Sequence, residues 1–249
     1  MNYNPPLAMW PSEFGDKLPV TEVFFSIQGE GRYAGHPAVF VRLAYCNLGC
    51  SWCDTRYTWD TEKMEPSSLM AAEGIVERVI ATLGESDVNP HRIHVVITGG
   101  EPMLHQDRIP ALIRSLRKRG VEFVEIETNG TIEPSGEIMQ LISWWNCSPK
   151  LGNNDRPAEN NIVPKALATI AATGRADFKF VVRDRRDVEE LERVFLPLVP
   201  RESIMLMPEG VTRARQLEIM PVVLSECRRT GFRFSPRLHI LAWGNERGR

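Results

Sequence analysis

Apolar and polar positions along this chain follow two alternating rhythms, one suited to strands and one to helices. "AVFVRLAY" (38–45) is rich in β-branched and aromatic residues, predicts a strand, and runs straight into a cysteine-rich stretch. "EGIVERVIATLG" (73–84) has the three-and-four spacing of a helix and ends on glycine. The pair then repeats. "RIHVVITGG" (92–100) predicts a strand and "IPALIRSLRKRG" (109–120) a helix with a basic last turn. "VEFVEIETNG" (121–130) predicts a strand, "GEIMQLIS" (136–143) a helix, and "WWNCSPK" (144–150) a strand with its exit. "VPKALATIAATG" (163–174) and "DVEELERVFLPLV" (187–199) predict helices, with "ADFKFVV" (176–182) and "SIMLMPEG" (203–210) as strands. "RARQLEIMPVVLSECRRTG" (213–231) predicts a long helix that Pro221 should kink or restart, and "FRFSPRLHILAWG" (232–244) follows it. The first 20 residues and "RPAENNIV" (156–163) read as loops.

Strand–helix alternation of this kind predicts a mainly parallel sheet with helices outside. About six βα units are fewer than the eight of a closed barrel, so the expected architecture is α/β, an open or partial parallel β/α barrel. A single domain is expected over 1–249, with residues 1–20 as an extension and the core at 21–244. "TGGEP", "ETNG", "SPK" and "MPEG" each fall where an apolar strand stops. In parallel α/β architectures the carboxyl ends of the strands form one rim, where ligands bind. Four polar motifs and a cysteine loop on one rim describe one site.

Composition narrows the class. A chain of 249 residues, 43% hydrophobic and 25% charged, is long enough to bury a substantial core. A net charge of −2 gives no electrostatic case for nucleic acid or acidic lipid. The first residues lack a basic segment followed by an apolar run, and no stretch of 18 apolar residues occurs, so neither an export signal nor a membrane span is expected. Five cysteines do not make a disulfide framework, and reduced thiols in a cytoplasmic protein are the expectation.

Cys46, Cys50 and Cys53 form C-x3-C-x2-C. Structural zinc takes four protein ligands, and no second C-x2-C or close histidine pair is present. Cys147 lies in an apolar strand, and Cys227 follows Met220, Val223 and Leu224 at spacings that put it on the expected buried face of its helix. A redox C-x2-C leaves Cys46 unexplained. A cubane iron–sulfur cluster is the third reading: thiolates suit it, and three of them leave one iron open to a substrate or cofactor.

With "TGGEP" at 98–102, this triad resembles the radical S-adenosylmethionine superfamily. Within it, "FSIQGEGRYAGHPAVFVRLAYCNLGCSWCDT" (25–55), "ETNGT" (127–131), "SPK" (148–150) and "SPRLHILAWG" (235–244) resemble the 7-carboxy-7-deazaguanine synthases, over residues ~20–243 in order. The resemblance implies a 4Fe-4S cluster on the three cysteines, with S-adenosylmethionine chelating the open iron and giving up a 5′-deoxyadenosyl radical after one-electron reduction. It implies cofactor contacts from Gly99, Gly100 and Glu101, with Glu101 meeting the methionine ammonium, from Ser148, Pro149 and Lys150, and from Met207 near the adenine. The glycines are expected to let backbone approach the methionine closely.

The implied substrate is 6-carboxy-5,6,7,8-tetrahydropterin, whose ring contracts with loss of ammonia to 7-carboxy-7-deazaguanine. Ile27, Gln28, Gly29 and Glu30 are implied at the ring edge, Arg42 at the carboxylate, and Thr98 and His239 as the rest of the pocket. Thr55 matches the position that binds Mg²⁺ with the substrate carboxylate, a fitting hard-oxygen ligand. A flavodoxin-like electron donor and a homodimer are implied as well, with no direct nucleic-acid or membrane contact. The three-residue gap between Cys46 and Cys50 is short for a family in which this loop varies widely.

Taken singly, these residues have plainer readings. "SIQGEG" could be an exposed loop, "TGGEP" a turn that starts a helix, Arg42 a solvated charge, Thr55 a helix cap and His239 a core histidine. Two rival functions share part of the pattern. An activating enzyme for a glycyl-radical partner has the same cysteine spacing but needs an open groove, and a zinc-binding interaction module needs no catalysis.

Overall fold

The computed structural model describes residues 14–60, 62–65, 67–84, 88–155 and 161–249. Most of the expected loop at 156–163 and residues 1–13 of the expected extension lie outside them. The chain enters its sheet earlier than the sequence pattern foretells. β1 (Leu18–Ile27) pairs antiparallel with β2 (Pro37–Leu43), and the short β3 (Ser68–Met70) lines the far edge of β1. Residues 18–20, expected as loop, are therefore strand. No helix follows β1 before its partner, and seven of its ten residues are only half-buried, so it lacks the βα signature that reveals the other strands.

From β2 onward every neighbour is parallel. β4 (His94–Gly99), β5 (Phe123–Thr128), β6 (Trp144–Cys147), β7 (Ala176–Val182), β8 (Ile204–Pro208) and the two-residue β9 (Arg233–Phe234) complete the order β3-β1-β2-β4-β5-β6-β7-β8-β9. Between them run α1 (Ala72–Leu83), α2 (Ile109–Lys118), α3 (Gly136–Leu141), α4 (Pro164–Ala172), α5 (Arg185–Val194) and α6 (Arg213–Thr230), and α7 (Leu238–Trp243) follows β9. Six βα units in an open sheet make a partial parallel β/α barrel. No helix among the described residues is long and apolar enough to cross a membrane.

The strand period of two divides each parallel strand between two faces. Val39 and Val41 of β2, Val95 and Ile97 of β4, Val124 and Ile126 of β5, and Phe178 and Phe180 of β7 join the helices in one apolar core. Truncating Phe178 to alanine there would cost about 3–5 kcal/mol. The intervening positions, Arg42, Thr98, Glu125, Glu127, Asn146 and Lys179, lie on the other face. That face carries these polar side chains, and most of them border the candidate site.

Pro221 does not break α6. It is exposed, and the buried stripe of the helix runs through Gln216, Ile219, Val223, Glu226 and Thr230 on other sides. Cys227, expected on the buried face, is half-buried at the margin of that stripe, and Leu224 is exposed. Cys147 is fully buried in the apolar core, as its strand context implies.

Candidate active site

β2 hands the chain to the cysteine loop through a strained residue. Tyr45, immediately before Cys46, has φ +80°, a left-handed conformation that costs a non-glycine residue about 1–2 kcal/mol. Its surroundings hold it there: Tyr45 N donates to Thr58 O at 2.7 Å, Glu101 N donates to Tyr45 O at 2.7 Å, and its ring stacks on Phe14. The "TGGEP" turn after β4 lies directly against this segment. A Cβ on Gly99 would sit 2.0 Å from Leu43 O, and one on Gly100 would sit 1.9 Å from Tyr45 O. The close approach that demands glycine here is thus to the chain's own backbone.

Cys50 is buried and Cys46 and Cys53 are half-buried, and all three border one cavity of about 360 Å³. Burial pushes the Cys46 and Cys53 thiols up, helped at Cys46 by the Glu101 carboxylate and at Cys53 by Asp54. That penalty on the thiolates is one a bound metal cation relieves. Among the described residues no three His, Cys, Asp or Glu side chains converge closely enough to chelate a single ion. A cubane asks for less convergence, because it offers each thiolate an iron of its own, and the donor set fits it.

The cavity gathers most of the residues singled out in the sequence. Ile27, Gln28, Gly29, Glu30, Arg42, Thr55, Thr98, Gly99, Gly100, Ser148, Lys150, Met207 and His239 line it together with the three cysteines. Gln28 is buried, so "SIQGEG" is no exposed loop. Thr55 makes no side-chain cap, and its hydroxyl lies 3.6 Å from Cys53 Sγ. His239 packs so closely on Gly29 that a Cβ there would come within 2.2 Å of its Nδ1. Burial lowers the His239 pKa below the usual histidine value, which favours the neutral ring. Lys150 Nζ donates to Ser148 Oγ at 2.8 Å and stands over the Trp52 ring.

Two expected residues lie elsewhere. Pro149 is buried off the cavity lining. Glu101 is fully buried behind the turn, where its carboxylate accepts from Met103 N at 2.9 Å, Thr128 Oγ1 at 2.7 Å and Asn129 N at 2.6 Å. Its carboxylate therefore fastens "TGGEP" to "ETNG". Burial raises its pKa to about 6 against the pull of those donors.

A charged network on the cavity wall escaped the sequence reading. Glu30 pairs with Lys179 Nζ at 2.9 Å and with Arg237 Nε at 3.0 Å, and Arg237 also reaches Asp54. Lys179 lies 3.7 Å from Glu127, which accepts from Thr98 Oγ1 at 2.8 Å. Burial alone would push the Glu30 carboxyl up, but Lys179 and Arg237 outweigh it and hold the group well below the usual carboxylate range. Arg42 Nε donates to Glu22 at 2.6 Å, and Glu22 also takes Tyr57 OH at 2.8 Å and Arg247 Nη2 at 3.1 Å. Arg247, within the segment 244–249 that borders the cavity, stacks over the Tyr57 ring.

Known proteins resemble this chain over most of its length. The Radical SAM superfamily profile matches residues 41–143. A 7-carboxy-7-deazaguanine synthase of Pyrobaculum aerophilum is 40% identical over 235 residues, spanning 94% of this chain and 98% of that protein. The synthase of Escherichia coli K12 is 37% identical over 234 residues, spanning 90% of this chain and 97% of its own. The chain belongs to the 7-carboxy-7-deazaguanine synthase family. The crystal structure of QueE from Escherichia coli superposes with a TM-score of 0.67 at 27% identity, covering 95% of this chain and all of that one. A structure of anSMEcpe with bound AdoMet shares the fold, with a TM-score of 0.51 at 15% identity over 76% of this chain and 60% of its own.

Within this family member, the overlooked wall residues carried a readable sign. Glu127 shares the alternate positions of "VEIET" with Glu125, and Lys179 is the one charge in "FKFVV". The period of two puts both on the face opposite the core. Asp54 and Arg237 sit inside the quoted motifs "CDT" and "SPRLH", but their pairing across 183 residues has no local signal.

Proposed function

We propose that the protein is a lyase that contracts the ring of 6-carboxy-5,6,7,8-tetrahydropterin to 7-carboxy-7-deazaguanine with release of ammonia, in 7-deazapurine biosynthesis of the queuosine type. The observation that carries this reading is the meeting of three thiols and a wall of pterin-suited donors and acceptors on one cavity of about 360 Å³. Cys46, Cys50 and Cys53 would hold the 4Fe-4S cluster, and Gly99, Gly100, Ser148, Lys150 and Met207 would hold S-adenosylmethionine beside it. When bound, the pair supplies a 5′-deoxyadenosyl radical able to take hydrogen from C6 of the pterin.

The chain's own residues bind and orient the substrate. Glu30, kept ionised by Lys179 and Arg237, accepts from the N–H groups of the pterin edge, and Gln28 offers its amide beside them. Arg42 gives only Nε to Glu22 and presents its remaining guanidinium edge to the substrate carboxylate. Thr98 and neutral His239 complete the ring pocket. Thr55 would ligate Mg²⁺ together with that carboxylate, because its hydroxyl is the hard oxygen such an ion takes. A flavodoxin-like protein donates the electron, and the enzyme works as a homodimer in the cytoplasm.

The test is anaerobic reconstitution with iron and sulfide, then assay with S-adenosylmethionine, a reductant and carboxytetrahydropterin. A new deazapurine chromophore is expected, and none should form with Cys50→Ala. Colourless wild-type protein that holds zinc and no iron after this treatment would refute the reading. Arg42→Ala should lose turnover while still cleaving S-adenosylmethionine slowly, and an unchanged pterin affinity in that variant would remove Arg42 from the carboxylate site.

A further inference from the structure

Each of the three cavity thiols has an N–H aimed at its sulfur, and the donors come from three separate places. Leu48 N lies 3.4 Å from Cys46 Sγ, inside the cysteine loop itself. Trp59 Nε1 lies 3.3 Å from Cys53 Sγ. Asn154 Nδ2 lies 3.6 Å from Cys50 Sγ and comes from 104 residues away, in the turn beyond β6. The two side-chain donors are fixed in place. Asn154 is fully buried, its Oδ1 accepts from Asn161 Nδ2 at 3.3 Å, and its carbonyl accepts from Ser51 N at 3.4 Å. The turn that carries Trp59 is tied back by Trp59 N donating to Arg56 O at 3.1 Å.

An indole N–H can only donate, and a neutral thiol is a weak acceptor. A thiolate sulfur carrying cluster charge is a far better one, and hydrogen bonds to ionised groups are about twice as strong as neutral ones. These donors therefore match sulfurs that are to carry charge.

We infer that Trp59 and Asn154 are tuning residues, which act through the Cys53 and Cys50 sulfurs to raise the reduction potential of the cluster. The inference rests on the proposed cluster and goes beyond it. Adding an electron to the cluster puts more charge on its sulfurs, so an N–H bond to a sulfur favours the reduced form. Removing the donor makes reduction harder.

The test is an EPR-monitored redox titration of the full-length, anaerobically reconstituted protein without S-adenosylmethionine, with iron and sulfide counted on the same samples. Trp59→Phe removes the N–H. β-(3-Benzothienyl)alanine at position 59 removes it too but keeps the bicyclic shape. With either, the reduced-to-oxidised ratio at a fixed potential should fall about tenfold, equal to about 59 mV for a one-electron couple. Asn154→Leu should shift the midpoint in the same direction, and the combined variant further. A full cluster with a wild-type midpoint in the benzothienyl protein overturns the inference, even if Trp59→Phe shifts it, because water entry would then be the cause. If Trp59→Phe loses iron, the benzothienyl protein decides alone. Wild-type protein that takes up no iron or sulfide would instead overturn the cluster assignment itself.

Discussion

Toward the amino ends of the strands, buried charge is closed on itself, whereas toward the carboxyl ends it borders the cavity. Asp177 is fully buried and accepts from Arg32 at 3.2 and 3.3 Å and from Arg233. Glu125, also fully buried, takes His94 Nδ1 and Asn146 Nδ2, each at 2.6 Å, and Gln28 Nε2 at 3.3 Å. Neither carboxylate touches the cavity. At the other end Glu30, Lys179, Arg237, Asp54 and Glu127 all line it. The first arrangement fixes the positions of strands and loops. The second keeps charged groups desolvated beside the cavity, which strengthens whatever they bind there. One strand, β7, contributes to both, through Asp177 and Lys179 two residues apart on the same face.

The largest effect should come from Lys179→Met, which leaves Glu30 and Glu127 without their shared cation. Breaking a buried pair from one side costs about 3–5 kcal/mol, and the denaturation midpoint should fall accordingly. Adding Glu30→Gln should restore much of the stability and none of the turnover. A double variant that regained activity would erase the distinction between the two ends.

Acid should act on the carboxyl end through His105, whose pKa burial lowers to about 4 from 6.5, against the bond from its Nε2 to Ala44 O at 3.0 Å. Between those values the unfolded chain binds a proton that the native one refuses. The stability linked to His105 is therefore full above pH 6.5 and falls by about 3 kcal/mol as pH drops to 4. Glu101 works the other way, because its raised pKa gives stability below 4.5 that is lost as pH rises through about 6. It offsets part of the His105 effect within that window. His105→Gln keeps a donor for Ala44 O and should flatten the dependence in pH-resolved urea melts; an unaltered slope would clear His105 of the effect.

Asp177→Asn should cost about 1–3 kcal/mol by weakening two charge-assisted contacts, while kcat and the KM for the pterin stay within twofold of wild type. A large KM change would show that the amino end reaches the substrate. Smallest of all, Arg185→Ala on the exposed face of α5 removes an i,i+4 pair with Glu189 and should shift stability by about 0.3–0.5 kcal/mol, near the limit of a thermal melt.

Much of this was legible in the sequence because βα units repeat and their polar residues gather at strand ends. The six helices of the βα units and their strands fall within a few residues of the expected bounds. β1 was not legible, since an antiparallel strand with half-buried faces and no following helix shows neither rhythm. At the site, the thiols and the motif residues stood out by type and spacing. The reason for Gly99 and Gly100 did not, because the atoms they avoid belong to Leu43 and Tyr45 across a strand pair. Glu101 was expected to face a ligand, yet Thr128 and Asn129, which claim its oxygens, are neighbours only once β4 and β5 lie side by side.

The left-handed turn at Tyr45 fixes where the cysteine loop leaves the sheet. Thr58, Glu101 and Phe14 all hold that turn, so the direction in which the chain reaches Cys46 is set by three separate segments. Loosening any one of them would re-aim the first thiol while leaving every cysteine in place.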